Sequence, residues 1–234
     1  MKIIKKYKNI RNQIDFGLRS TFSIHRPIDA GYNEPALHTE LKMELHDFLI
    51  GFDWEKYTSP HSESKTIVDI GTRIFLTAEP LFQVFSFLKR QPKIHGVEID
   101  CNRRVEGLKT RRSFGNYYAQ RVPDAKYHGM DFLDWEGPMD IAVLLNPFVS
   151  ELPHLAWGLP LSKLRPEQLF DHLVHRLTPD GLVLLSNPSI AEQESSLQFL
   201  KSHGFTVLQK FNWYPTKTSA HKKPRYGVLL RKPK

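Results

Sequence analysis

Four short stretches of this chain carry residue types that can hold a ligand or move a proton. Asp69 stands two places before Gly71, with Thr72 and Arg73 next. Glu98 is followed by Ile99 and Asp100, and further on Asp131 is followed by Phe132. Asn146 precedes Pro147 and Phe148, and His154 lies in the aromatic and apolar stretch that follows. A carboxylate offers two oxygens to two adjacent donors, so Glu98, with Asp100 as the fallback, can accept both hydroxyls of a ribose. Glycine lets backbone approach a ligand at a distance that a side chain would block. His154 can serve as a base, although one histidine among 11 is more often structural or exposed.

These residues matter only if the chain brings them to one place. From residue 66 onward strands and helices alternate. Thr66 to Ile70 is a short β-branched strand, and Leu81, Val84, Phe85 and Leu88 mark the next helix. Lys93 to Ile99, Ala125 to Met130, Met139 to Leu145 and Leu182 to Ser186 read as further strands. Between them, helices are expected over Arg103 to Arg121, Pro166 to Leu177 and Ile190 to His203, the last closed by Gly204. Phe205 to Tyr214 and Arg225 to Leu230 then follow as two strands with no helix between them.

Such alternation implies an α/β, doubly wound, mostly parallel seven-stranded sheet that ends in an antiparallel hairpin. Ligands of such sheets bind beyond the carboxyl ends of the strands, where strand order reverses. The residues singled out above fall at or beyond the carboxyl ends of these strands.

At this point the pattern resembles class I S-adenosylmethionine (SAM) methyltransferases. Asp69-x-Gly71 looks like their first motif, whose glycine-rich loop wraps the methionine part of SAM; Arg73 and Phe75 stand where the second and third glycines would be. The resemblance implies Glu98 as the ribose acid, Asp131 as receiver of the adenine amino group and Phe132 as the apolar neighbour of the ring. It also implies that Asp69, Gly71, Thr72, Arg73, Ile99 and Asn146 complete the SAM site. Asn146-Pro147-Phe148 is similar to the Asn-Pro-Pro-aromatic motif of amino-group methyltransferases, without its second proline. The catalytic residue stays open between Asn146 and His154. Methyl transfer from a sulfonium needs alignment and a dry pocket more than a nucleophile–base triad.

The likeness spans roughly residues 64–232. Residues 1–60 are expected to form an N-terminal helical extension and 61–234 the methyltransferase-like domain. In the extension, Leu37, Leu41, Leu45, Phe48, Leu49 and Phe52 recur at helical spacing after Asn33-Glu34-Pro35. His38 and His46 beside them read as surface residues. The segment Thr58 to Lys65 reads as a linker.

The single cysteine, Cys101, excludes an internal disulfide framework and a cysteine-based zinc cluster and favours a reducing, cytoplasmic location. No apolar run suits a membrane span. The net charge of +8 is uneven: residues 1–20 and 210–234 are strongly basic and the middle is net acidic. Basic ends make nucleic acid a possible partner; the methyl acceptor itself is not written in the sequence. Two other readings remain: a methyltransferase-like domain that binds without turning over, and a nucleic-acid-directed methyltransferase. A nicotinamide oxidoreductase is disfavoured because the loop after the first strand lacks Gly-x-Gly-x-x-Gly.

Overall fold

The computed structural model describes residues 28, 32–58, 64–88 and 91–233. Seven strands form the main sheet in the order β5-β2-β1-β6-β7-β9-β8. Their ranges are β1 Ser64–Ile70, β2 Gln91–Val97, β5 Ala125–His128, β6 Met139–Leu145, β7 Leu177–Asn187, β8 Thr206–Trp213 and β9 Arg225–Arg231. A small hairpin, β3 Arg104–Glu106 and β4 Lys109–Thr110, stands apart. The helices are α1 Ala36–Ile50, α2 Trp54–Tyr57, α3 Ala78–Phe87, α4 Arg111–Ala119, α5 Glu151–Ala156, α6 Pro166–Arg176 and α7 Ile190–Ser202.

β1 pairs in parallel with β2 on one side and β6 on the other, so the order reverses between β1 and β6. That places the topological switch point beyond Ile70 and Leu145. The buried runs in β6 and β7 send alternate side chains to opposite faces. Ile141, Val143, Leu182 and Leu184 join a cluster with Phe48, Phe52, Phe75 and Phe85 on one face. Ala142, Leu144, Val183 and Leu185 join Phe132, Phe170 and Leu200 on the other. Each large apolar side chain so covered contributes about 1.5–3 kcal/mol.

The two last strands form the expected antiparallel hairpin, but β9 is wedged between β7 and β8 and runs antiparallel to both. The burial pattern explains the order: Gly227 to Leu230 are all buried, whereas β8 alternates half-buried and exposed residues. The apolar strand takes the interior place, and β8, with Lys210 on it, becomes the edge. Gly227 has no room for a side chain, because a Cβ there would lie 2.7 Å from the rings of Phe48 and Phe52. α1 is thereby seated directly on the sheet through Leu45, Phe48 and Leu49. Leu37, expected in that stripe, is exposed.

One helix is shorter than the sequence predicts. Residues 103–110 form a loop and the β3–β4 hairpin, turning at Gly107 (φ 54°), and α4 starts only at Arg111. Thr110 explains the start, since its hydroxyl accepts from the Ser113 N–H at 3.3 Å in a reciprocal capping box. The stretch expected as a loop after β6 contains α5. No described helix is long and apolar enough to cross a membrane. The basic residues 1–20 lie outside the described residues, as does most of the expected linker.

Candidate functional site

The loop after β1 is pulled across the end of β2. The N–H groups of Gly71 and Thr72 both donate to the Val97 carbonyl, at 2.8 and 3.2 Å. Three alternate residues of this loop adopt left-handed backbone: Gly71 (φ 76°), Arg73 (φ 61°) and Phe75 (φ 65°). For a residue with a Cβ that conformation costs about 1–2 kcal/mol. It persists here because the surroundings pin it. The Arg73 N–H donates to Glu98 Oε2 at 2.9 Å, and the Tyr127 hydroxyl donates to the Arg73 carbonyl at 3.0 Å. The Phe75 ring is fully buried against Gly96, where an added Cβ would lie 2.6 Å away. Asp69 is buried beneath the loop and accepts from the Thr77 hydroxyl. Burial pushes its carboxyl up to about 6, against the opposing pull of the Thr72 and Thr77 hydroxyls. Asp69 therefore anchors the loop from inside.

Glu98 sits in the turn just after β2 and is only 4% exposed. Its Oε1 accepts from the Asp100 N–H at 2.8 Å and from Arg111 Nη1 at 2.9 Å. With the Arg73 N–H on Oε2, three of about four acceptor directions are in use. Asp100, also buried, pairs with Arg103 and stands 3.7 Å from Arg111. Ile99 between the two acids is half-buried. Arg103 also donates to the Trp157 carbonyl, and the Trp157 ring lies 4.5 Å from the Arg73 guanidinium and 5.5 Å from that of Arg111. Trp157, from the segment after β6, thus forms a cover over the end of β2.

Asp131 follows β5 and caps a short 3-10 turn by accepting from the Leu133 N–H at 3.2 Å. Its other oxygen pairs with Arg165, and Lys163 stands 3.7 Å away. Phe132 is buried in the core against His172 and does not present an open ring face. Asn146 ends β6 in left-handed backbone (φ 62°), tied by its N–H to the Ser186 carbonyl at 2.6 Å. His154 is buried beside Phe148, and its Nε2 bonds the Pro160 carbonyl at 2.8 Å. Burial lowers its pKa, so it is neutral near pH 7.

Asp69, Gly71, Thr72, Arg73, Glu98 and Ile99 are thus brought to one strand-end cluster. Asp131 and Asn146 end the strands that flank β2 and β1. Sequence reasoning missed Arg103, Arg111, Arg165 and Trp157, the groups that occupy or cover the acids. It also missed Ser186 and Asn187 at the end of β7. There a signal existed: Asn187-Pro188 repeats Asn146-Pro147 on the neighbouring strand, with Leu145 paired to Ser186.

Buried polar atoms without a hydrogen-bond partner locate the site independently. Eight occur among the described residues: Arg112 Nε, His154 Nδ1, Arg165 Nε, Ser186 Oγ, Asn187 Oδ1, His221 Nε2, Arg225 Nε and Arg231 Nε. All but Arg231 belong to the carboxyl edge or to segments packed on it. Such atoms cost about 1–3 kcal/mol each and call for an explanation. A cavity of about 740 Å3 lies elsewhere, at the amino edge between α1, α2 and α3.

Three solved structures share this architecture. The N-methyltransferase NodS of Bradyrhizobium japonicum, in complex with S-adenosyl-L-homocysteine (SAH), superposes with a TM-score of 0.55 at 9% identity, covering 96% of this chain and 100% of its own. Magnesium protoporphyrin IX methyltransferase of Synechocystis with bound SAM gives 0.54 at 12% identity, over 99% and 96%. The precorrin-6y C5,15-methyltransferase of Geobacter metallireducens gives 0.53 at 13%, over 90% and 100%. The fold is that of class I SAM-dependent methyltransferases. No protein-family model and no curated protein sequence matches the chain.

In a methyltransferase fold the cofactor test falls on Glu98. Of its three donors two are backbone N–H groups fixed by the turn, and only Arg111 is a side chain that can move. The residues therefore fit the adenosine end of SAM on one condition: Arg111 releases Oε1, and Trp157 shifts with it.

Proposed function

We propose that this chain is a SAM-dependent methyltransferase. The observation that carries the reading is the left-handed loop at Gly71, Arg73 and Phe75, at the switch point of a methyltransferase sheet and bonded directly to Glu98. SAM, when bound, would supply the methyl group on its sulfonium. Glu98 would take the ribose hydroxyls, Asp131 the adenine amino group, and the backbone of Gly71 and Thr72 the methionine end. Asn146, at the end of β6, would orient the acceptor, with Phe148 and Trp157 as an aromatic wall that excludes water. His154 would brace that wall through the Pro160 carbonyl. The buried, free Cys101 supports a reducing, cytoplasmic location.

Isothermal titration with SAM and SAH tests the reading. Both ligands should bind, and Glu98→Ala should weaken them by about 1–3 kcal/mol. Absence of heat and of thermal shift at millimolar ligand would remove the enzyme reading. A second reading, a binding module that no longer turns over, is favoured by one observation, the Arg111–Glu98 bond beneath Trp157. Arg111→Ala separates the two: tighter SAH binding supports a gate over a working site, and unchanged, negligible binding supports the module.

A further inference from the structure

Arg225 opens β9 at the carboxyl edge. Its partner on β8 is Trp213, and Asn187 of β7 pairs with the next residue, Tyr226. The side chain is 6% exposed, with its guanidinium 5.9 Å from the ring of Phe48 on α1. Its Nε has no hydrogen-bond partner. The acid it senses is Glu44. Each Glu44 oxygen accepts one backbone N–H, from Ala220 at 2.5 Å and from His221 at 2.9 Å. Glu44 thus ties down the loop between β8 and β9, and among the described residues no carboxylate stands within 4 Å of the Arg225 guanidinium.

That loop carries a second unpaired donor. His221 has its ring 6.2 Å from Trp213, the strand partner of Arg225, and its Nε2 is buried with no partner. Arg73 is exposed and rests on Trp157, with no carboxylate within 4 Å of its guanidinium among the described residues. Arg73 is near enough to both to disfavour their charged forms. Burial first, then Arg73, lowers Arg225 to about 10 despite Glu44. Burial, then Arg225, Lys223 and Arg73, lowers His221 to about 4. A buried guanidinium left in this condition is costly unless an anion reaches it.

We propose that Arg225 and His221 form a subsite for a phosphate-type oxyanion carried by the methyl acceptor. Two buried side chains with unpartnered nitrogens meet at Trp213, the strand partner of Arg225 and the ring neighbour of His221, and a guanidinium beside an imidazole N–H suits the several oxygens of such an anion. The subsite lies at the carboxyl edge beside Asn187, whose strand partner is Tyr226. The inference rests on the methyltransferase reading for the word acceptor, though the anion site itself does not depend on it.

Calorimetry with inorganic phosphate, at ionic strength held constant with chloride, tests it on the full chain. Phosphate should bind the parent protein. Binding should weaken about tenfold in Arg225→Gln, recover in part in Arg225→Lys, and weaken several-fold in His221→Gln. SAH binding should be unchanged by the two glutamine variants. Should Arg225→Gln fail to fold, His221→Gln carries the comparison. A mononucleotide that binds tighter than a single-stranded RNA of equal phosphate concentration assigns the phosphate to a small acceptor. Tighter RNA binding with a steep salt dependence assigns it to a nucleic-acid backbone. No phosphate binding by the parent, or binding unaffected in both variants, overturns the subsite. Loss of SAH binding alone overturns the cofactor reading and leaves the subsite standing.

Discussion

At the amino edge of the sheet, a cavity of about 740 Å3 is bordered by Trp54, Phe87 and Gln209. At the carboxyl edge the space is filled by Trp157 and its arginines, yet the backbone is left-handed at Arg73, Phe75 and Asn146, and seven buried polar atoms of the described residues lack partners. At the amino edge Gln209 accepts from the Asp53 N–H and donates to the Gly51 carbonyl, both at 2.9 Å, and Arg231 Nε alone among the unpartnered buried atoms of the described residues lies there. Empty volume there is a packing remainder. Tolerated strain and withheld hydrogen bonds at the other edge are costs the fold carries for some return. The contrast teaches that volume is the poorer guide to chemistry in this molecule.

The contrast breaks most easily at Trp54. It is buried, meets Phe85 edge-on with ring centroids 5.0 Å apart and donates to the Leu49 carbonyl at 2.8 Å. Trp54→Ala should cost about 3–5 kcal/mol in denaturant unfolding while leaving SAH affinity unchanged. A change in affinity would mean that the two edges are coupled. Next, Glu98→Gln removes the nearer of the two carboxylates beside Arg111, a side chain only 6% exposed, and leaves Asp100 at 3.7 Å. Stability should fall by about 3 kcal/mol, and here ligand binding should fall too.

Asp69 gives a slightly smaller effect with a sign that can be checked. Its carboxyl is raised from the usual value near 4 to about 6. The folded state therefore holds the proton more tightly than the unfolded chain does. Its stabilising contribution is complete below about pH 4 and is lost as pH rises through 6. Asp69→Asn should remove up to about 3 kcal/mol of that dependence, read as the difference between the unfolding curves of parent and variant over pH 4–7. Parallel curves would show that Asp69 does not titrate there. Smallest is Arg73→Gly, which relieves left-handed strain of about 1–2 kcal/mol but loses about 0.5–1 kcal/mol to chain entropy. Net stability should rise by no more than about 1.5 kcal/mol, and SAH should bind more tightly as the cover over Glu98 loosens. Weaker SAH binding would show that the Arg73 side chain holds the ligand.

Much of the architecture could be read from the chain because it depends on short-range pattern. Met139 to Leu145 is apolar enough to be a buried strand anywhere, and the observed bounds of β6 are those expected. The acids after β2 and β5 were visible for the same reason, since their position follows from where strands stop. The partners of those acids were not visible. Arg111 reaches Glu98 only because residues 103–110 form a hairpin instead of the first turns of a helix, and nothing periodic marks that choice. The left-handed backbone at Arg73 and Phe75 was hidden too, because the residue that normally advertises it, glycine, is missing there. Arg225 read as one more member of a basic tail until pairing with Trp213 placed it at the sheet edge.

Consider finally the wedged position of β9. Among the described strands β8 pairs with none but β9, so it can join the sheet only together with β9 or after it. A chain truncated before Arg225 would leave the outer flank of β7 bare and β8 without a strand to pair with.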